Sequence, residues 1–110
     1  MAFTAYHNIT GSTGVSIELI APGSDVGEIQ SIMIANTPAT ADATVSLFIQ
    51  DEPTAAVTKT FYILSTVAIP SDTSLLLDNS SILSFDNSSN GYGLYLTVGS
   101  SDTLDVLIRV

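Results

Sequence analysis

Thr44-Val45-Ser46-Leu47-Phe48-Ile49-Gln50 sets Val45, Leu47 and Ile49 on one side of an extended chain, against Thr44, Ser46 and Gln50 on the other. A period of two is what a strand with one buried face requires, because successive side chains leave the pleat in opposite directions. The rhythm recurs on both sides of this stretch. Val15, Ile17 and Leu19 alternate with Ser16 and Glu18, and Ile32 and Ile34 with Met33 and Ala35. Val57, Phe61 and Ile63 share a face with Lys59, opposite Thr58, Thr60 and Tyr62. Leu94, Leu96 and Val98 oppose Gly93, Tyr95 and Thr97, and Leu104, Val106, Ile108 and Val110 oppose Thr103, Asp105 and Arg109. No window carries apolar residues at i, i+3, i+4 and i+7 with good helix formers between them.

Breakers separate these runs at short intervals: Pro22-Gly23-Ser24-Asp25, Thr37-Pro38-Ala39, Asp51-Glu52-Pro53, Pro70-Ser71-Asp72, Asp78-Asn79-Ser80, Asn87 to Gly91 and Gly99 to Asp102. Many short strands between turn clusters predict an all-β, single-domain antiparallel β-sandwich, jelly-roll or immunoglobulin-like, of eight or nine strands with at most one helical turn. The 110 residues leave room for one domain, residues 1–110. Residues 1–14, less patterned, read as an extended N-terminal arm or edge strand.

Charge narrows the function. Charged residues make up 12% of the chain, eleven acidic and two basic (Lys59 and Arg109), for a net charge of −9. Two cations cannot release enough counterions to hold DNA or RNA, so nucleic acid is excluded as a partner. Apolar runs such as Ile32-Met33-Ile34 and Leu75-Leu76-Leu77 are short, none longer than four residues, far below the ~20 of a membrane-spanning helix. Met1-Ala2-Phe3-Thr4 has neither the basic nor the apolar region of a secretory signal. There is no cysteine, hence no disulfide and no thiolate chemistry. A surface so thinly charged suits a protein packed against neighbours, where each buried charge would carry a desolvation cost.

Candidate chemistry is sparse. His7 is the one histidine, so any Ser–His–Asp arrangement must use it, yet no Gly-x-Ser-x-Gly elbow accompanies it. The carboxylates fall mostly in turns, where they accept hydrogen bonds from their own backbone. No Trp and no long loop is present to wall a glycosidase cleft. The reading is therefore a non-enzyme without catalytic residues or cofactor. Asp86, Ser88 and Asn90 followed by Gly91 copy the opening of a calcium loop, but Thr97 stands where the bidentate carboxylate belongs. They are a weak calcium candidate in a turn. The sequons at Asn8, Asn79 and Asn87 read as products of an Asn/Ser-rich surface. Tyr62 and Tyr95 are candidates for a sugar-binding platform, weighed against cross-strand pairing. Phe48 and Leu107, apolar on the polar faces of their strands, point to a second face covered by another chain. With Phe3 and Tyr6 on the arm they form the expected interaction set.

Ile32-Met33-Ile34-Ala35-Asn36, Val45-Ser46-Leu47-Phe48-Ile49, Phe61-Tyr62-Ile63-Leu64, Val67-Ala68-Ile69-Pro70 and Ser74-Leu75-Leu76-Leu77, in this order and closed by Leu104-Asp105-Val106-Leu107-Ile108, resemble small virion structural proteins of tailed bacteriophages, marine ones such as cyanophages in particular. The likeness runs from about residue 28 onward and consists of strand patterns. It implies a β-sandwich displayed in many copies on a capsid or tail, without catalytic residues. An acidic chain fits the outer capsid surface better than the DNA-filled interior. The expectation is a decoration or cement protein of the virion, made in the host cytoplasm, that binds the major capsid protein or other virion proteins and self-associates, with a trimer as one form. A tail, baseplate or fibre component is the near alternative, and a carbohydrate-binding module the alternative of another class.

Overall fold

A computed structural model describes residues 4–10, 16–25, 29–36, 42–51, 59–88, 91–99 and 102–109. The elements are β1 (Thr4–Thr10), β2 (Ser16–Ile20), β3 (Ser31–Asn36), β4 (Ala43–Asp51), β5 (Thr60–Ile69), β6 (Thr73–Leu77), one helical turn α1 (Ser80–Leu83), β7 (Tyr92–Val98) and β8 (Thr103–Arg109). Among the described residues the fold is an antiparallel β-sandwich of eight strands, as the alternation predicts.

Strand order resolves the subtype. One sheet runs β1-β8-β3-β6 and the other β2-β7-β4-β5. β4 pairs with β5, β3 with β6, β2 with β7 and β1 with β8, all antiparallel. Each pairing nests inside the next, as in one long hairpin. The cross-links β3–β8 and β4–β7 roll that ribbon into two facing sheets. This is a jelly roll, and the immunoglobulin-like order is excluded.

The alternating aliphatics meet between the sheets. Ile32, Ile34, Leu47, Leu94, Leu96, Leu104, Val106 and Ile108 are fully buried there. Ile29 and Leu83 of α1 are fully buried too. Each such side chain contributes about 1.5–3 kcal/mol relative to exposure. Asn36 is the polar member of the inner face of β3, and its Nδ2 donates to the Ile69 carbonyl at 3.0 Å. α1 is capped by Asn79, whose side chain accepts from the Ser81 N–H, which satisfies one of the first-turn donors.

Two irregularities adjust the faces. β5 gains a residue on β4 between Val45 and Leu47 and another between Leu47 and Phe48. Ile63 and Leu64 therefore both pack against the core, and Val67 returns to it. β2 bulges between Glu18 and Ile20, so Leu19 and Ile20 are both buried. Bulges bend and twist an edge strand away from further pairing.

Candidate functional site

The outer face of the β1-β8-β3-β6 sheet carries the principal candidate. Tyr6 lies opposite Leu107, Leu107 opposite Met33, and Met33 opposite Leu76. One apolar row thus crosses all four strands at right angles to their direction. Its ends are open to solvent, Tyr6 at 72% and Leu76 at 56% exposure, and Met33 and Leu107 are half-buried. Ser31, Met33, Leu76, Leu107 and Arg109 line a shallow groove along it. Two charges flank Leu107 along β8, Asp105 on one side and Arg109 on the other. Asp105 accepts a hydrogen bond from Asn8 Nδ2, and Arg109 has no ion pair among the described residues.

Sequence reasoning singled out Tyr6 and Leu107, which the register brings side by side. It missed Met33 and Leu76. The signal was present in Ile32-Met33-Ile34 and Leu75-Leu76-Leu77: in an extended run of three apolar residues, the middle one must leave by the opposite face. Phe3 lies outside the described residues.

Phe48 belongs to a different surface. On the outer face of the second sheet it is opposite Tyr62 on β5 and Tyr95 on β7. Its ring lies 5.3 Å from that of Tyr62 and is stacked 5.9 Å from that of Tyr95. Phe48 is 4% exposed, so the covering expected from another chain comes from aromatic neighbours on its own sheet. Tyr95 is also buried, its hydroxyl donating to Glu18 at 3.5 Å. Tyr62 alone of the three offers a broad face, at 59% exposure. The sugar platform reduces to one open ring.

The turn after α1 is built from its own hydrogen bonds. The Asp86 carboxylate accepts from the Ser88 N–H at 3.0 Å. The Asn87 side chain is buried and donates to the Ala21 and Tyr92 carbonyls. Hydrogen bonds from Ser88, hydroxyl first and then N–H, hold the Asp86 carboxyl below its ordinary range, slightly opposed by desolvation. Of the calcium candidates Asp86 and Ser88 are therefore bonded to each other, and Asn90 lies outside the described residues. Among the described residues no group of three or more His, Asp or Glu side chains is placed to hold a metal ion.

His7 is on β1 opposite Val106, a residue of the inner face. Its Nε2 is buried and has no hydrogen-bond partner among the described residues. The register places the imidazole on the inner face of β1.

No protein-family model and no curated protein matches the sequence. The fold is similar to that of a chain in the crystal structure of the T13 IBDV viral particle, with a TM-score of 0.50 at 10% identity. All of this chain is covered by that match, and 31% of the other, so the present chain spans about a third of its length. At that identity the likeness is one of fold.

Proposed function

We propose that this protein is a virion structural component, and within that class a decoration or cement protein seated on the outer surface of the major capsid shell. The observation that carries the reading is the jelly-roll strand order wound around a filled interior. Jelly rolls serve as capsid domains, as lectins and as cupins. A cupin-type site needs a ligand chamber between the sheets, and here that space is occupied by Ile32, Ile34, Leu47, Leu96, Leu104 and Val106. The fold likeness to a chain of a viral particle supports the capsid branch. So does the outer surface, with few charges, almost all of them acidic, and an apolar row open to a protein contact.

Such a domain acts by burying surface between neighbours many times over, so that weak single contacts add to a strong shell. The same chemistry would serve in a tail or fibre, where only the copy number differs. Quantitative mass spectrometry of purified particles tests the choice. Hundreds of copies per particle are expected for a decoration protein, and a few to dozens would place it in the tail. Absence from particles would overturn the virion reading.

A second reading rests on Tyr62, whose open ring beside Phe48 is the kind of surface a sugar stacks on. Reproducible glycan-array binding lost in Tyr62→Ala would favour it.

A further inference from the structure

The apolar row is self-complementary, and its flanking charges specify how. Consider two copies laid with the β1-β8-β3-β6 faces together and a two-fold axis running along the row. Leu107 then meets Leu107 of the second copy and Met33 meets Met33. β8 lies antiparallel over β8, so Asp105, two residues before Leu107, faces Arg109 of the second copy, two residues after it. Arg109 likewise faces the second Asp105. The other in-plane axis, parallel to the strands, would lay β8 over β3. It would set Asp105 against Ala35 and Arg109 against Ser31, leaving both charges unpaired.

We propose that the Tyr6–Leu107–Met33–Leu76 row joins two copies of this chain face to face about the first axis, with the Asp105–Arg109 pair made twice. The inference rests on reading the row as a protein contact and is independent of the virion assignment. A symmetric patch of this kind is an isologous interface and closes at two copies, in place of the trimer expected from the resemblance. Facing sheets of this type pack ~10 Å apart with strands within ~30° of alignment.

Area sets the strength. Four strands at ~4.8 Å spacing and six residues along each give a flat footprint of roughly 400 Å² per copy, on the order of 800 Å² in total. That is below the ~1,200–2,000 Å² of stable complexes. Two chains of charge −9 also repel. The dimer is therefore weak and concentration-dependent, populated where copies are crowded.

Sedimentation equilibrium of the full chain at about 0.15 M salt, from about 10 μM to 1 mM, tests it. The weight-average mass should climb from 11.5 kDa toward twice that value. Leu107→Glu, on the outer face, should hold the chain at monomer mass with unchanged circular dichroism. Asp105→Arg and Arg109→Asp should each weaken the dimer roughly tenfold by opposing like charges at two symmetric places. The double variant D105R/R109D should recover affinity to within about threefold of the parent. Monomer mass at every concentration overturns the proposal, as does a Leu107→Glu protein that still dimerises. A double variant no tighter than its single parents overturns the axis. None of these outcomes depends on particle copy number, so each reading fails by its own measurement.

Discussion

At the scale of single residues the polar exceptions tell more than the aliphatic majority. Asn36 and Asn87 are buried and donate to backbone carbonyls, Asn36 to that of Ile69 and Asn87 to those of Ala21 and Tyr92. His7 buries a nitrogen that has no partner among the described residues, and an unmet buried hydrogen bond costs about 1–3 kcal/mol. Asp86 gives a pH dependence with a definite sign. Its folded-state carboxyl is held below the ordinary value of 3.8 by the bonds from Ser88. Its contribution is therefore complete above that value and is lost as pH falls through the lower folded-state value. Asp86→Asn removes the titration while keeping an acceptor oxygen for the Ser88 N–H. Thermal melts from pH 6 to pH 2 should fall less steeply for the variant than for the parent. Parallel curves would mean that the turn contributes no proton linkage. The sequence reading found this turn from its ligand spacing, but not that Ser88 is the partner of Asp86, since spacing does not fix which atoms a turn folds inward.

At the scale of elements, alternation was legible wherever a strand is regular. β3, β7 and β8 bury the residues their period indicates: Ile32 and Ile34, Leu94, Leu96 and Val98, Leu104, Val106 and Ile108. It failed in β5, where Ile63-Leu64-Ser65-Thr66-Val67 breaks the period. Two register shifts there restore Leu64 and Val67 to the core, and a bulge leaves no single-residue signature in a chain read without its partner strand. The adjustment strains one residue. Thr66 adopts φ 53°, and its N–H donates to Ser46 Oγ at 2.9 Å. A β-branched residue is poorly suited to the left-handed region, which Asn enters more readily. Thr66→Asn keeps the backbone donor and should stabilise the domain by about 0.5–1 kcal/mol, a rise of roughly 2–8 °C in melting temperature. A fall would show that the Thr66 side chain makes a contribution larger than the strain it causes.

At the scale of the whole molecule the nested strand order was beyond the sequence, because period two says which face a residue takes and nothing about which strand lies beside it. The pairing of β1 with β8 joins the two ends of the chain, and no local pattern encodes so distant a contact. Charge, by contrast, was legible in full and governs the molecule as a unit. Neither Lys59 nor Arg109 forms an ion pair among the described residues, so the carboxylates repel one another over a body with a radius of gyration of 13.6 Å. Unfolding lets them separate. At low ionic strength the Debye length exceeds that radius, whereas near 1 M salt it shrinks to ~3 Å and the repulsion is screened. Raising sodium chloride from about 0.02 M to 0.5 M should therefore stabilise the folded chain by about 1 kcal/mol, or roughly 4–8 °C in melting temperature. A variant with Asp25, Asp42 and Asp72 changed to Asn, all exposed, should start from a higher melting temperature in low salt and respond less. A melting temperature that is flat or falls with salt would show that local attraction, not net repulsion, sets the electrostatic balance of this fold.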